Sequence, residues 1–332
     1  MKTITVLGWY GKNNCGDESY KKAFPTIFKN YKFNFTDIIK AEHKNSDAFI
    51  LGGGDVLSPI FLNQLIDIEK PKHIISVSAN EQIDPKLLKN FKNIFVREHA
   101  SLEILTKKGI SASYAPDVAF ALSGDPIKGN KLIKKHFEEQ DRDLYENKVV
   151  VVINGFLAEE HSSAFDVRIT FNFHDMVYKL SHVMDYTPAS FIFIPFGQDL
   201  PWDDRVTNLW AASKAKFWKK NLCIWKESNV QNVLDMISSV DAIISTRLHS
   251  TIFAMATKTP IIDITHNHKN RWLLETTDKK HFSINYRAVD EEALKLKLND
   301  LLENRQVHVK ELSILLDKQR ALLEGLGNVC LA

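Results

Sequence analysis

The feature that most constrains the fold is a pattern written twice along the chain. Short, continuous β-branched runs alternate with longer helical windows. In the first series, Thr3–Gly8, Asp47–Leu51, His73–Val77 and Asn93–Val96 read as strands, with helical windows such as Glu18–Asn30 and Ser101–Lys108 between them. In the second series the strands are Val149–Ile153, Ser190–Ile194, Leu222–Trp225, Asp241–Ser245 and Pro260–Ile264. Runs that are apolar throughout and separated by helices belong to parallel sheets covered on both faces. The polar, charged segment Ser123–Asn147 separates the two series, and its part from Lys128 has helical character. From Asp290 to Leu326 the chain is Leu-rich with charged faces, which predicts C-terminal amphipathic helices. The fold expected is α/β: two doubly wound domains facing a central cleft, over residues 1–130 and 145–290, with helices of 291–332 packed on them.

Length and composition agree with this. A chain of 332 residues suits two domains, and 20 Phe, 6 Trp and 8 Tyr supply material for two cores. Lys and Arg number 43 against 41 Asp and Glu, so there is no global nucleic-acid footprint. Cys15, Cys223 and Cys330 are scattered, with no CxxC pair. That argues against a disulfide framework or a structural zinc, and for a reducing, cytoplasmic setting. The apolar run at Met1–Gly8 is too short for a signal peptide. No stretch approaches the roughly 18 apolar residues that span a bilayer, so no membrane insertion is expected.

In doubly wound sheets, ligands bind outside the carboxyl ends of strands, at helix N-termini. Five segments occupy such places. Gly8–Glu18 follows the first strand; it reads either as a ligand loop or as a tight turn in which Asp17 caps the next helix. It is neither GxGxxG nor a Walker motif. Gly52-Gly53-Gly54-Asp55 either offers backbone amides to an anion or turns the chain sharply out of the sheet. Arg97–Ser101 brings a guanidinium suited to carboxylate or phosphate, or simply a surface arginine near a helix start. The sharpest is Asp241–Ala256. There a buried strand ends at Ser245 and an apolar helix starts near His249, so Arg247 and His249 fall at a helix N-terminus that already favours anions. Arg247 neutralises a phosphate or carboxylate, and His249 donates a hydrogen bond or acts as general acid. In the fifth, Thr265–Trp272, Lys269 offers another cation. His266 and His268 lack an acidic or Cys partner at ligand spacing, so no metal is expected and a polar loop is the default. A further region, Pro195–Trp225, mixes Trp202, Trp210, Trp218 and Trp225 with Lys214, Lys216, Lys219 and Lys220. It reads either as an aromatic acceptor surface or as an amphipathic helix packed on the core.

Taken in this order and spacing, Asn14-Cys15-Gly16-Asp17-Glu18, Gly52–Asp55, Arg97–Ser101, Asp117, Asp241 and Arg247-Leu248-His249 resemble the polysaccharide pyruvyl transferase family over about residues 3–275. The resemblance implies a GT-B-like pair of Rossmann-like domains, the first on the acceptor side and the second on the donor side. It implies transfer of the pyruvyl group of phosphoenolpyruvate to a sugar as a ketal, with no cofactor. Arg97 and Arg247 would hold the donor's carboxylate and phosphate, and His249 would protonate the enol carbon or assist phosphate departure. Lys269 would be the basic residue after the next strand. The catalytic set is then His249, Arg247 and Asp17. The donor set adds Arg97, Leu248, Ser250, Lys269, Gly53 and Gly54; the acceptor set is Asn14, Gly16, Asp17, Glu18 and Trp202. The sequence departs from the family at Thr265–Lys269, where His-Asn-His stands in place of an aromatic residue with Asp-Pro before the lysine. The alternatives are a glycosyltransferase with a nucleotide-sugar donor, acting on a glycan or a base in DNA, and a non-catalytic anion-binding protein on the same scaffold. Nucleic acid enters only under the first of these. Oligomeric state is not written in the sequence.

Overall fold

The computed structural model describes residues 1–155, 167–198, 203–216, 222–226 and 228–331. They form two compact units, one of residues 1–12, 16–122 and 317–332, the other of 13–15 and 123–316.

The first unit holds β1 (Lys2–Leu7), β2 (Tyr31–Thr36), β3 (Ala48–Gly54), β4 (Lys72–Val77), β5 (Asn93–Val96) and β6 (Ser113–Tyr114), in the sheet order β2-β1-β3-β4-β5-β6. All pairings are parallel, with Val6 opposite Phe35 on one side and Ile50 on the other. The second unit holds β7 (Lys148–Val152), β8 (Ser190–Phe193), β9 (Leu222–Ile224), β10 (Ala242–Ser245), β11 (Ile261–Thr265) and β12 (Ser283–Asn285), in the order β12-β11-β10-β7-β8-β9, again parallel.

The central strands form where the apolar runs stand. Every residue of β3 is buried, as are Val149–Val152. Each valine so buried contributes about 1.5–3 kcal/mol. The edge strand β2, Tyr-Lys-Phe-Asn-Phe-Thr, was not expected. Its lysine and asparagine alternate outward with half-buried neighbours, and Phe33 and Phe35 lie 6.1 and 6.2 Å from the Phe24 ring. An edge strand needs only one apolar face, so it lacks the continuous run that marks the centre. β3 also runs three residues past the apolar run, through Gly52–Gly54.

The helices are α1 (Cys15–Ile27), α2 (Pro59–Leu62), α3 (His99–Lys107), α4 (Pro126–Glu139), α5 (Val167–Tyr186), α6 (Asp204–Ala212), α7 (Val230–Ser238), α8 (Leu248–Thr257), α9 (His268–Thr276), α10 (Glu291–Glu303) and α11 (Arg305–Gly327). α4 starts at Asp125, whose carboxylate accepts the amides of Ile127 and Lys128. It packs against α7 so closely that a Cβ on Gly129 would lie 1.9 Å from the Asp235 carbonyl oxygen. The division falls at Leu122/Ser123, where the polar segment between the two strand series begins. The C-terminal helices divide as well: α10 belongs to the second unit and residues 317–332 to the first. Within the first unit, the Leu331 amide donates to Tyr31 Oη (3.2 Å), and the Leu331 carbonyl lies 2.9 Å from Nε2 of the buried His73. Among the described residues, no helix is long and apolar enough to cross a membrane.

Each sheet has one switch point, where the chain reverses the direction in which it adds strands. In the first it lies between β1 and β3, in the second between β7 and β10. The carboxyl ends of these four strands are where ligands are expected.

Candidate functional site

At the first switch point, β1 leads into Gly8–Glu18 and β3 ends at Gly54. Tyr10 folds inward, 4% exposed, and its hydroxyl donates to the Gly52 carbonyl (2.6 Å). The Glu18 carboxylate accepts the Gly11 amide (2.6 Å), closing the loop on itself, and also meets Lys21. Gly53 has a positive φ of 82°, and a Cβ there would meet the Tyr20 ring at 2.3 Å. A Cβ on Gly54 would stand 2.9 Å from Asp17 Oδ1. The glycine run thus lets β3 pass over Tyr20 and beside a carboxylate. Asp17 and Glu18 are half-buried and Asp55 is exposed, so this strand end is acidic.

Arg97 lies inside this unit, not on its surface. It is 4% exposed. Nε donates to Ser78 Oγ (2.9 Å) and Glu98 Oε1 (2.8 Å), and Nη1 donates to Tyr20 Oη and Asp117 Oδ2 (both 3.1 Å). Tyr20 Oη donates to the same Asp117 oxygen (2.8 Å). Burial, then the Asp117 charge, push the Tyr20 phenol well above its ordinary 10.0, which keeps it a donor. Glu98 also accepts from Ser78 and Ser101. With Glu98 on Nε and Asp117 on Nη1, Arg97 braces Tyr20, Glu98 and Asp117 beneath the strand ends.

The second switch point is built around Arg247. β10 ends at Ser245, and Arg247 takes the extended N-cap conformation (φ −112°, ψ 137°) before α8. Ser245 Oγ accepts the Arg247 amide (3.0 Å), Ser250 Oγ donates to the Arg247 carbonyl (2.8 Å), and the two hydroxyls touch. Ser250 is thus committed through its side chain; what it offers at the helix start is its amide. The amides of Leu248, His249 and Ser250 have no acceptor within the helix. His249, half-buried, is the second helical residue. α8 can begin here because residues 250–256 are all buried, so the helix is held from every side.

The Arg247 guanidinium is fixed by a residue that sequence reasoning missed. Asp204, the first residue of α6, is fully buried. Its Oδ1 accepts Arg247 Nη2 (2.5 Å) and the Gly155 amide (2.9 Å), and its Oδ2 accepts the amides of Phe196 (2.9 Å) and Gly197 (3.0 Å). One carboxylate therefore ties together the loops after β7, β8 and β10. Arg247 Nε is buried and has no hydrogen-bond partner among the described residues. Its partner Asp204 lies 43 positions away and nothing local marks it; a carboxylate two residues after Trp202 was the only signal.

The next strand end carries a second hub. Asp263, buried within β11, accepts from Thr251 Oγ1 (2.5 Å), Thr265 Oγ1 (2.6 Å) and Asn270 Nδ2 (2.6 Å). Burial raises its carboxyl above the ordinary 3.8, against the pull of those bonds. It thereby joins the first turns of α8 and α9. The stretch expected as a polar loop is the start of α9: Asn267 caps it by accepting the Asn270 amide (3.1 Å), and Lys269 is its second residue. Asp241 lies at the opposite, amino end of β10, where it accepts the Lys148 amide (2.8 Å). Asn14 groups with this second unit and bridges to Gly197, whereas Gly16, Asp17 and Glu18 group with the first. Trp210 stacks on Phe173 (5.4 Å) with Lys214 over its ring, and Trp225 meets His136 edge-on (4.7 Å). Trp202 and Trp218 lie outside the described residues. Among the described residues, no three His, Cys, Asp or Glu side chains are grouped as a metal ion would require.

Comparison with known proteins is consistent with this geometry. The family model for polysaccharide pyruvyl transferase matches residues 10–268. No curated protein matches the sequence. Among solved structures, the chain resembles Anabaena HepE in complex with UDP-glucose, with a TM-score of 0.60, 9% identity, and coverage of 99% of this chain and 100% of that one. It also resembles S. aureus MnaA with UDP (TM-score 0.58, 8% identity, 94% of this chain and 91% of that). A third is the UDP-GlcNAc 2-epimerase from Neisseria meningitidis bound to UDP-GlcNAc (TM-score 0.58, 11% identity, 98% and 99%). Identities this low speak to fold alone: the chain has the GT-B fold, with two Rossmann-like domains.

Proposed function

Because the chain belongs to the polysaccharide pyruvyl transferase family, and is a transferase that modifies polysaccharide, we propose that it moves the pyruvyl group of phosphoenolpyruvate onto two hydroxyls of a saccharide. One observation carries the choice of donor. Arg247 stands at the head of α8, clamped on one side by buried Asp204, with its Nε lacking a partner among the described residues. A helix N-terminus and a pre-oriented guanidinium suit a compact dianionic ligand. Phosphoenolpyruvate, with a carboxylate and a phosphate on the same carbon, is such a ligand.

In this reading Arg247, the α8 amides and Lys269 hold the donor's anionic groups. A saccharide hydroxyl adds to C2 of the enol while His249 protonates C3, giving a methyl group and a tetrahedral carbon that still carries phosphate. The second hydroxyl then replaces the phosphate at C2 and closes the ketal. Of the two hydroxyl protons released, one is balanced at the new methyl group and the other leaves with phosphate.

The experiment is a thermal-shift comparison of phosphoenolpyruvate with nucleotide sugars, on wild type and Arg247→Ala. A ligand at about 100 times its Kd adds roughly 2.7 kcal/mol. The expected result is a shift with phosphoenolpyruvate that Arg247→Ala removes. A shift with a nucleotide sugar alone would replace this donor by a sugar nucleotide.

A further inference from the structure

A second cationic pocket lies on the same edge of the second sheet. Its volume is about 430 Å³, and it is lined by His266, His268, Arg271, Ser283, Tyr286 and Arg287 among others. It opens at the carboxyl ends of β11 and β12, where Thr265 pairs with Asn285. Its lining contains two guanidinium groups, two imidazoles and no carboxylate. Among the described residues, neither Arg271 nor Arg287 has an ion-pair partner. Elsewhere in this unit, Arg247 is paired with Asp204 and Lys279 with Glu311.

The floor of the pocket is fixed. Thr265 Oγ1 donates to Asp263 and lies 2.8 Å from Ser283 Oγ, which locks β11 to β12. His266 Nε2 accepts from Asn267 Nδ2 (2.9 Å), and the His268 ring packs on Trp272 (4.5 Å). The acid beneath, Asp263, has its oxygens taken up by Thr251, Thr265 and Asn270. β12 adjoins β11, which adjoins β10. The pocket is thus one to two strand spacings, about 5–10 Å, along the sheet from the Arg247 loop.

We propose that this pocket is an anion subsite that takes a phosphoryl group through Arg271 and Arg287, separate from the one at Arg247. Paired guanidinium groups bind phosphate oxygens bidentately, and a pocket of this size holds a mono- or diphosphate with part of its ester. Two sources share that chemistry: the phosphate leaving the donor, and a phosphate or diphosphate ester on the acceptor. The proposal goes beyond the donor assignment and does not depend on it, because it is tested with Arg247 removed.

The probes are inorganic phosphate and pyrophosphate, titrated calorimetrically at low salt into the full chain. Arg247→Ala is expected to retain binding. Adding Arg271→Ala and Arg287→Ala is expected to weaken it by at least about tenfold, the loss of one charge-assisted hydrogen bond. Arg271→Lys with Arg287→Lys, in the same background, keeps the charge and is expected to bind between the two. Arg247→Ala binding neither probe, or the triple variant binding as well as Arg247→Ala, overturns the proposal. Both arginines are exposed, so their replacement leaves the core untouched. Tighter binding of pyrophosphate than of phosphate, by tenfold or more, supports a diphosphate ester as the ligand. Displacement of phosphate from Arg247→Ala by phosphoenolpyruvate supports the donor's own phosphate. If phosphoenolpyruvate fails to stabilise wild type while the probes still bind here, the donor assignment falls and the subsite stands.

Discussion

The two switch points use one residue type in two ways. In the first unit, Arg97 lies beneath the strand ends, 4% exposed and bonded to Ser78, Glu98, Tyr20 and Asp117, while the surface above it carries Asp17, Glu18 and Asp55. In the second, Arg247 stands at the head of a helix, with one carboxylate behind it and Nε unpartnered among the described residues. The first arginine has two acidic partners and acts as a brace. The second has one, which orients it. An arginine after a strand is therefore not by itself an anion site; what decides is how many carboxylates already share it.

The largest expected effect tests the brace. Arg97→Ala leaves Glu98 and Asp117 buried without their cation, and breaking a buried pair by removing one partner costs about 3–5 kcal/mol. Urea unfolding is expected to show that loss, with phosphoenolpyruvate binding unchanged in the protein that remains folded. If Arg97→Ala keeps its stability and loses the donor instead, the two arginines have the same task and the contrast fails. Next come Arg247→Ala and His249→Ala. Loss of a preorganised group acting on developing charge costs about 2.7–4 kcal/mol, so transfer is expected to fall by roughly 100- to 1,000-fold in each. Arg247→Ala stays folded, because Asp204 keeps three backbone amides as donors. Turnover near wild type in both variants would remove the second switch point from the reaction.

A smaller effect is expected at Asp204. Asp204→Asn keeps one carbonyl oxygen but turns an amide nitrogen toward backbone N–H groups or Arg247. A buried donor left unsatisfied costs about 1–3 kcal/mol. The sharp readout is affinity for phosphoenolpyruvate, measured separately from melting. If Asp204 positions Arg247, Kd rises by more than the loss of stability explains. If the melting temperature falls and Kd does not move, Asp204 only ties the loops together.

The central architecture was legible because β3 and β7 are apolar throughout, and only a strand covered on both faces reads that way. β2 was missed because Lys32 and Asn34, on its outward face, break up the apolar run, and α9 because His268–Arg271 are polar and give its first turn no apolar periodicity. The Asn267 cap was a usable signal, outweighed by the surrounding histidines. At the site, Arg247 and His249 were legible because strand end, cap and helix are contiguous in sequence. Asp204 and the Arg97 network were not, since they join residues 43 and 77 positions apart. The steric demand for glycine at Gly53 was hidden for a related reason: the ring it makes room for belongs to Tyr20, on another element.

The smallest expected effect separates the two units by their response to mild acid. His73 is buried in β4, with Nε2 at the Leu331 carbonyl and Nδ1 3.0 Å from Asn93 Nδ2. Burial first, and the Lys92 charge after it, hold its protonation below the ordinary 6.5, against the pull of the Leu331 carbonyl. The unfolded imidazole takes up its proton near 6.5 and the native one resists. Below that value the unfolded state binds more protons, and stability falls as pH falls. Asp263 in the second unit runs the other way. Its native carboxyl keeps a proton above 3.8 while the unfolded one has lost it, so its contribution falls as pH rises from there. Lowering the pH from about 7 to 5 is therefore expected to weaken the first unit and not the second. For a single imidazole the slope is at most about 1.4 kcal/mol per pH unit. Hydrogen-exchange protection, corrected for intrinsic rates, reads this separately in β1 and β4 and in β7 and β10. His73→Gln keeps the polar contacts and is expected to flatten the response of the first unit alone. Equal losses in both units, or a loss that survives His73→Gln, would show that the acid response does not come from His73.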